Sequence, residues 1–289
     1  MQLIKHNPAA VTLEIPSKST QRLSIMLTSD VHFDSVVCDI DLFTKHLKIA
    51  EELQAPVLIA GDLLDAMQGK WDPRRQPEDL KNAYKVSAYY DAIVMDCAKF
   101  LAKFKVPLYI LALGNHETGV LRHSNTDLLN NVAYQLRIEH NRQAVSMGYW
   151  GYLRFMFKYN KGAATVSKTL YWHHGTSNNA VVTKGVIQVN RQGAYLRDVD
   201  FVLNGHNHAA YVMPLQVDRL NQRTMQPYTE TVFYLRSPGY KKPVSDANNV
   251  WGFEAEKHRS PNPRGCMFLN MEYSHNGDTI ESEILQKIV

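Results

Sequence analysis

The sequence predicts an α/β fold, on three observations. Short apolar runs of strand length alternate with longer stretches of helical periodicity. Five of these runs, at 23–28, 57–59, 108–113, 170–172 and 201–203, stop at a cluster of polar residues. Runs apolar on both faces belong to parallel strands covered by helices, where ligands gather beyond the carboxyl ends.

Taken in order, Val11 to Ile15 alternates like a strand, and the stretch from Pro16 to Gln21 reads as a turn before a strand from Leu23 to Thr28. That strand ends in S-D-V-H-F-D. Asp39 can cap a helix running to about Gln54, because Ile40, Phe43, Leu47, Ile49 and Leu53 recur at near-helical spacing and Pro56 marks the stop. The next strand delivers A-G-D-L-L-D at 60–65. Gln68 to Leu80 is polar and irregular, a surface insertion, and a helical pattern follows from about Lys81 to Phe104. The third buried strand, Leu108 to Leu113, runs into G-N-H-E. Asn125 to Leu136 suits a helix, and Ala144 to Tyr159 suits a hairpin turning around Gly148 to Gly151. Leu170 to Trp172 leads into H-H-G and Phe201 to Leu203 into N-G-H-N-H, with a short helix expected within Lys184 to Arg197. Beyond His208, strand-like runs at 211–217, 231–235, 267–273 and 280–285 suit an antiparallel closing sheet. No repeat or linker divides the chain, so one domain over 1–289 is expected, its motifs between 30 and 208 and its closing strands in 209–289.

Composition limits the function classes. In 289 residues, 32 Lys and Arg face 28 Asp and Glu, a mild positive balance that permits a polyanionic partner without requiring one. Cys38, Cys97 and Cys266 are odd in number and far apart, so neither a disulfide framework nor a thiolate zinc site is expected. The N-terminal stretch lacks the apolar core of a signal peptide and no apolar run reaches membrane-spanning length, so a cytoplasmic protein without a membrane partner is expected.

The chemistry lies in the five strand ends. Asp30 and His32 are two residues apart, which in extended chain puts both side chains on one face. His206 and His208 repeat the pattern. Asp62 adds a carboxylate able to span two cations, Asn115 a neutral oxygen, and His173 or His174 an imidazole. Nitrogen and oxygen ligands without thiolate suit manganese, iron, zinc or nickel, and the number of ligands suffices for two ions sharing one bridge. Each motif alone has a plain alternative, Asp-x-His as a capped loop and G-D-x-x-D as a turn, but five in succession after five strands do not arise from local structure.

D-V-H at 30–32, G-D-L-L-D at 61–65, G-N-H-E at 114–117, H-H-G at 173–175 and G-H-N-H at 205–208 together resemble the signature of the calcineurin-like metallophosphoesterases. The resemblance implies a four-layer sandwich of two mixed β-sheets flanked by helices, the final strands completing the second sheet. It also implies a metal-dependent phosphoric ester hydrolase with two divalent metal ions, manganese foremost. Asp30, His32 and His208 would hold one ion, and Asn115, His206 and a histidine of the 173–174 pair the other, with Asp62 bridging. A His-x-Gly register selects His173 as that ligand and leaves His174 to substrate, the preferred assignment, while members with His directly before Gly would select His174. His116 would contact the phosphate or protonate the leaving oxygen, with the attacking hydroxide drawn from a water between the ions. Asp34, Asp65 and Glu117 could orient ligand imidazoles.

The family acts on many phosphate esters, so the substrate has to be read from local additions. Basic and aromatic residues lie on the loops: Trp71, Arg74 and Arg75, then Arg122 and His123 after G-N-H-E, then Arg236, Lys241 and Lys242. Trp251, Phe253, Lys257, His258, Arg259 and Arg264 follow in the late loop. Rings that stack on bases and cations that meet phosphates favour a phosphodiesterase or nuclease acting on nucleotides or nucleic acid, with Asn115, His116, Arg122, His123 and His174 at the substrate. A phosphomonoesterase and a non-enzymatic interaction module are the alternatives.

Overall fold

The computed structural model describes residues 1–17, 20–69, 72, 73, 75, 77–159, 165–175, 183, 185–243, 262–274 and 279–289. The chain opens with β1 (Gln2–Asn7) and β2 (Ala10–Ser17), an antiparallel pair. Leu3 and Ile4 are adjacent in β1 and show no alternation, which is why the sequence carries no signal for this edge strand. Next come β3 (Thr20–Thr28) and α1 (Ile40–Glu52). Asp39 caps α1 as expected, its carboxylate accepting the Leu42 N–H at 3.2 Å, while Leu42, Phe43, Leu47 and Ala50 form the buried stripe.

After β4 (Val57–Ala60) the expected long helix is shorter, α2 spanning Tyr89–Leu101. Residues 77–79 and 82–84 form single 3-10 turns instead, and Ala88, the N-cap of α2, offers no side-chain bond. Then β5 (Tyr109–Ala112) leads into α3 (Asn115–Ser124), for which no helix is expected from the sequence, and α4 (Leu128–Ile138), with Asn125 between them in a left-handed conformation, φ 50°. The remaining elements are β6 (Ala144–Met147), β7 (Trp150–Tyr159), β8 (Thr165–His173), α5 (Val186–Tyr195), β9 (Phe201–Asn204), β10 (Tyr211–Asn221), β11 (Gln226–Arg236), β12 (Gly265–Ser274) and β13 (Thr279–Ile288).

Two mixed sheets result, ordered β1-β2-β7-β8-β9-β11-β10 and β13-β12-β3-β4-β5-β6. Two expectations are corrected by this order. β6 and β7 are not a hairpin, because β6 pairs with β5 in one sheet and β7 with β2 and β8 in the other. The chain changes sheets at Gly148, whose N–H is held by the Pro8 carbonyl at 2.8 Å. Nor do the strands after His208 close a single sheet: β10 and β11 extend the first, β12 and β13 the second.

Side-chain parity along the buried strands explains the layers. In β4, Leu58 and Ala60 face the inter-sheet core with Leu13, Ile25, Ile110, Phe155, Leu170, Leu203 and Leu269, while Val57 and Ile59 face the helices. Phe43 and Leu47 of α1, Ile93 and Cys97 of α2, and Leu129 and Val132 of α4 cover the second sheet. Val189 of α5, with Leu196 just beyond its end, packs on Tyr171, Val202, Val232 and Tyr234 of the first. The order is therefore helices, sheet, sheet, helix, the four-layer arrangement anticipated from the motif set. All three cysteines are buried and free. Among the described residues no helix is long and apolar enough to cross a membrane.

Candidate metal centre

β3, β4 and β5 run parallel, as do β8 and β9, so the segments following them emerge together. Their backbone is not extended. Asp30, His32, Asp62, His206 and His208 all have positive φ, between 50° and 71°, a region that non-glycine residues rarely occupy. This corrects the reasoning for the D-x-H and H-x-H pairs. The strands end at Thr28 and Asn204, and each side chain is aimed by its own left-handed turn rather than by strand alternation. Neighbouring chain holds these turns in place. The Asp30 N–H donates to the Gly61 carbonyl at 3.0 Å, the His32 N–H to the Asp62 carbonyl at 3.0 Å, and the His206 N–H to Asp30 Oδ2 at 2.9 Å.

Three groups of metal-ligating atoms form here, two built on separate residues and a third, His32 with Asp65 and His116, that shares His32 with the first. Asp30, His32 and His208 bring theirs within 4.8 Å of one another, and so do Asp62, His174 and His206. Asn115 Oδ1 completes the second cluster, 3.0 Å from His174 Nε2 and 2.7 Å from His206 Nδ1. Asp30 Oδ1 and His32 Nε2 are buried with no hydrogen-bond partner, a costly arrangement unless a ligand takes both. The donors are nitrogen and oxygen without sulfur. These residues fit divalent cations of the transition series.

The electrostatics agree. Burial, assisted by Lys241, pushes the His32 imidazole down to about 3, leaving it neutral with a lone pair to give. Burial also disfavours charge on His174, but the Asp62 and Asp30 carboxylates prevail and raise it to about 10. That pocket of carboxylates favours a positive charge.

The histidine pair resolves against the expected register. His173, the last residue of β8, is half-buried, and its Nδ1 accepts the Gly175 N–H at 2.9 Å. His174 is fully buried. Its Nδ1 donates to the Ala60 carbonyl at 2.8 Å, which orients the ring and directs Nε2 at Asp62 Oδ2, 3.1 Å away. His174, and not His173, thus stands with Asp62 and His206 in the second cluster. We expect His174→Ala to lose about half of the bound metal and His173→Ala to retain it, as read by metal analysis of the purified variants. Equal loss in both would contradict the placement.

The flanking acids divide by task. Asp65 Oδ1 accepts from His32 Nδ1 at 2.9 Å and from Lys241 Nζ at 3.1 Å, so it does orient a ligand imidazole. Glu117 instead accepts the N–H groups of Asp62, Leu64 and Gly114 at 2.9 to 3.1 Å, joining the β4 and β5 ends. Asp34 takes the Asp65 and Ala66 N–H groups and the Tyr89 hydroxyl. Close approach leaves no room for a larger residue at Gly114, where a Cβ would lie 2.1 Å from Asp62 Oδ1.

His116 sits beside both clusters. Its N–H donates to Asp62 Oδ1 at 3.0 Å, its Nδ1 to the Asp65 carbonyl at 2.6 Å, and its Nε2 lies 3.6 Å from Asp62 Oδ2. Arg122 and His123 lie in the last turn of α3, roughly 10 Å along the axis from Asn115 at 1.5 Å per residue. They are not brought to the cluster, and cations at a helix carboxyl end have a local electrostatic role. Arg264 bonds Asp39, and Arg236 is fully buried rather than on a loop surface. Arg75 is exposed, and Lys242 donates its N–H to the Val37 carbonyl. Trp71, Arg74, Trp251, Phe253, Lys257, His258 and Arg259 lie outside the described residues. Tyr149, whose ring meets His173 and His174 edge-on at 5.3 and 5.4 Å, carried no sequence signal.

The family model described as calcineurin-like phosphoesterase matches residues 23–210. No curated protein matches the chain. Among solved structures, a similar chain is GAP50, the anchor in the inner membrane complex of Plasmodium. It is 10% identical with a TM-score of 0.41, over 92% of this chain and 84% of that one.

Proposed function

The chain belongs to the calcineurin-like phosphoesterase family, and on that premise we propose that it hydrolyses phosphate diesters of nucleotides or nucleic acid at the two clusters. Asp30, His32 and His208 would hold one divalent cation and Asn115, His174 and His206 the other, with the Asp62 carboxylate shared. The buried Asp30 Oδ1 and His32 Nε2 carry this reading, because neither has a hydrogen-bond partner, and among the described residues the only group facing Asp30 Oδ1 in an ion pair is His208 Nε2, 3.5 Å away and itself a member of the cluster. Bound cations supply activated water at neutral pH and neutralise phosphoryl oxygens, and manganese is the expected ion.

The chain's own groups do the rest. Donation of His116 Nδ1 to the Asp65 carbonyl turns Nε2 toward Asp62, where a proton on Nε2 can pass to the leaving alkoxide oxygen. Asp65 steadies the His32 ring and holds Lys241 beside the site, placing a cation where an anionic substrate arrives. The buried loops exclude water from Asp30 and Asp62. With manganese added, we expect hydrolysis of bis-para-nitrophenyl phosphate to exceed that of para-nitrophenyl phosphate. A large preference for the monoester would overturn the diester assignment. Failure to hydrolyse either, after metal depletion and reloading with manganese, nickel, zinc or magnesium, would overturn the phosphoesterase reading.

A further inference from the structure

Arg236, the last residue of β11, is fully buried against α5. Its Nη2 donates to Gln188 Oε1, and its guanidinium lies 4.9 Å from the centre of the Tyr211 ring. Nε and Nη1 nevertheless have no hydrogen-bond partner, and the one carboxylate that favours the charge, that of Asp30, acts on it from a distance without an ion pair. An unmatched buried guanidinium is among the least favourable arrangements in a protein interior.

Burial disfavours the charge and Tyr211 and Asp30 favour it, while the nearest helix end adds positive potential. Gly185, the N-cap of α5, has φ 94° and no side-chain cap, and a Cβ there would come within 2.9 Å of Arg236 Nη1. A full charge is thus set against the positive end of a helix dipole, worth roughly half an elementary charge. The other polar neighbours are neutral amides bonded to each other: Gln188 and Gln192 donate to Asn204 Oδ1 at 2.9 Å, and Asn204 donates to Gln192 Oε1 at 3.1 Å. Tyr211 satisfies a face of the guanidinium and leaves the N–H edge open. Guanidinium and helix amino terminus together match a phosphate group.

The Arg236 cluster adjoins the candidate metal centre. Arg236 pairs with Asn204 in the β9–β11 register, and Asn204 is followed directly by the turn carrying His206 and His208. The Ser237 N–H donates to the Asn204 carbonyl at 2.9 Å, and the Tyr240 N–H to the Asp30 carbonyl at 2.9 Å, so the segment after Arg236 spans the two sites.

We propose that Arg236 and the amino-terminal turn of α5 form an anion subsite that receives a second phosphoryl group of the substrate, next to the phosphate being cleaved. The substrate class is then a nucleotide or oligonucleotide carrying at least two phosphates. This rests on the phosphodiesterase reading, and the test separates the two.

Calorimetric titration of the manganese-loaded full chain with inorganic phosphate should show a binding event that Gln188→Glu abolishes. That near-isosteric change puts a carboxylate on Arg236 Nη2, and it should also raise Tm without phosphate by satisfying the buried charge. Arg236→Lys, which keeps the charge and loses the fork, should weaken the same event about tenfold. In kinetics, wild type should show a KM about tenfold lower for a 5′-phosphorylated dinucleotide than for its unphosphorylated counterpart, and both variants should lose that ratio. Phosphate binding unaltered in Gln188→Glu would overturn the subsite. Phosphate binding that responds to both variants, with no KM ratio in a hydrolytically active wild type, would overturn the assignment to a substrate phosphate. If the chain hydrolyses no ester while the variant-sensitive phosphate event persists, the anion site stands and the phosphodiesterase reading fails.

Discussion

Asp62→Asn should strip both cations from the protein together and lower phosphoesterase turnover by more than a hundredfold. The Asp62 carboxylate is buried beside the imidazoles of His116 and His174, and it is fixed by the His116 N–H on one oxygen and faces His174 on the other. Loss of a partner outside the ligand shell typically costs 10–100-fold in metal affinity or activity, so loss of a shared ligand should exceed roughly that range. The substitution keeps the shape and removes only the charge. Asp30→Asn should instead chiefly deplete the Asp30, His32 and His208 cluster, so metal analysis of the two variants gives different stoichiometries. Equal, single-ion losses would show that Asp62 is not shared.

His116→Ala should retain both ions yet slow turnover by about 10²–10⁴, the range typical of general acid–base groups. The effect should be greatest for esters with poor leaving groups and small for nitrophenolate, which leaves without a proton. His116 is placed for this by the Asp65 carbonyl on Nδ1, and its ring lies 4.6 Å from that of His32, close to the cluster without belonging to either ligand set. Metal content reduced in step with activity would instead make His116 a ligand. Uniform slowing of all leaving groups would remove its proton-transfer role.

The strand-end motifs were legible because they are local. Asp30, His32, Asp62, Asn115, His206 and His208 each follow an apolar run that can only be a buried strand, and the structure gathers all six. The α1 cap at Asp39 was read in the same way, and the four-layer arrangement followed from the family resemblance that the motifs carry. What failed involved a choice between two compatible local conformations. His173 and His174 both fit the end of β8, and only the Ala60 carbonyl of another strand decides which imidazole turns inward. Ala144 to Tyr159 has the pattern of a hairpin, but the two strands find better partners in different sheets. Asp65 looked secondary beside Asp62, yet its carboxylate meets His32 and Lys241 across 33 and 176 residues of chain. Arg236 read as a loop cation, because nothing in S-P-G-Y shows that the preceding residue is sealed beneath a helix.

The sequence by itself determined the ligand types and the strands that deliver them, since apolar periodicity and donor chemistry are properties of neighbouring residues. Tertiary structure decided which imidazole of the pair enters the site, which acid orients His32, how the closing strands divide between sheets and where Arg236 lies. Each of those outcomes depends on a hydrogen bond or packing contact between segments distant in the chain, and the energy of such a contact is not encoded in either segment alone.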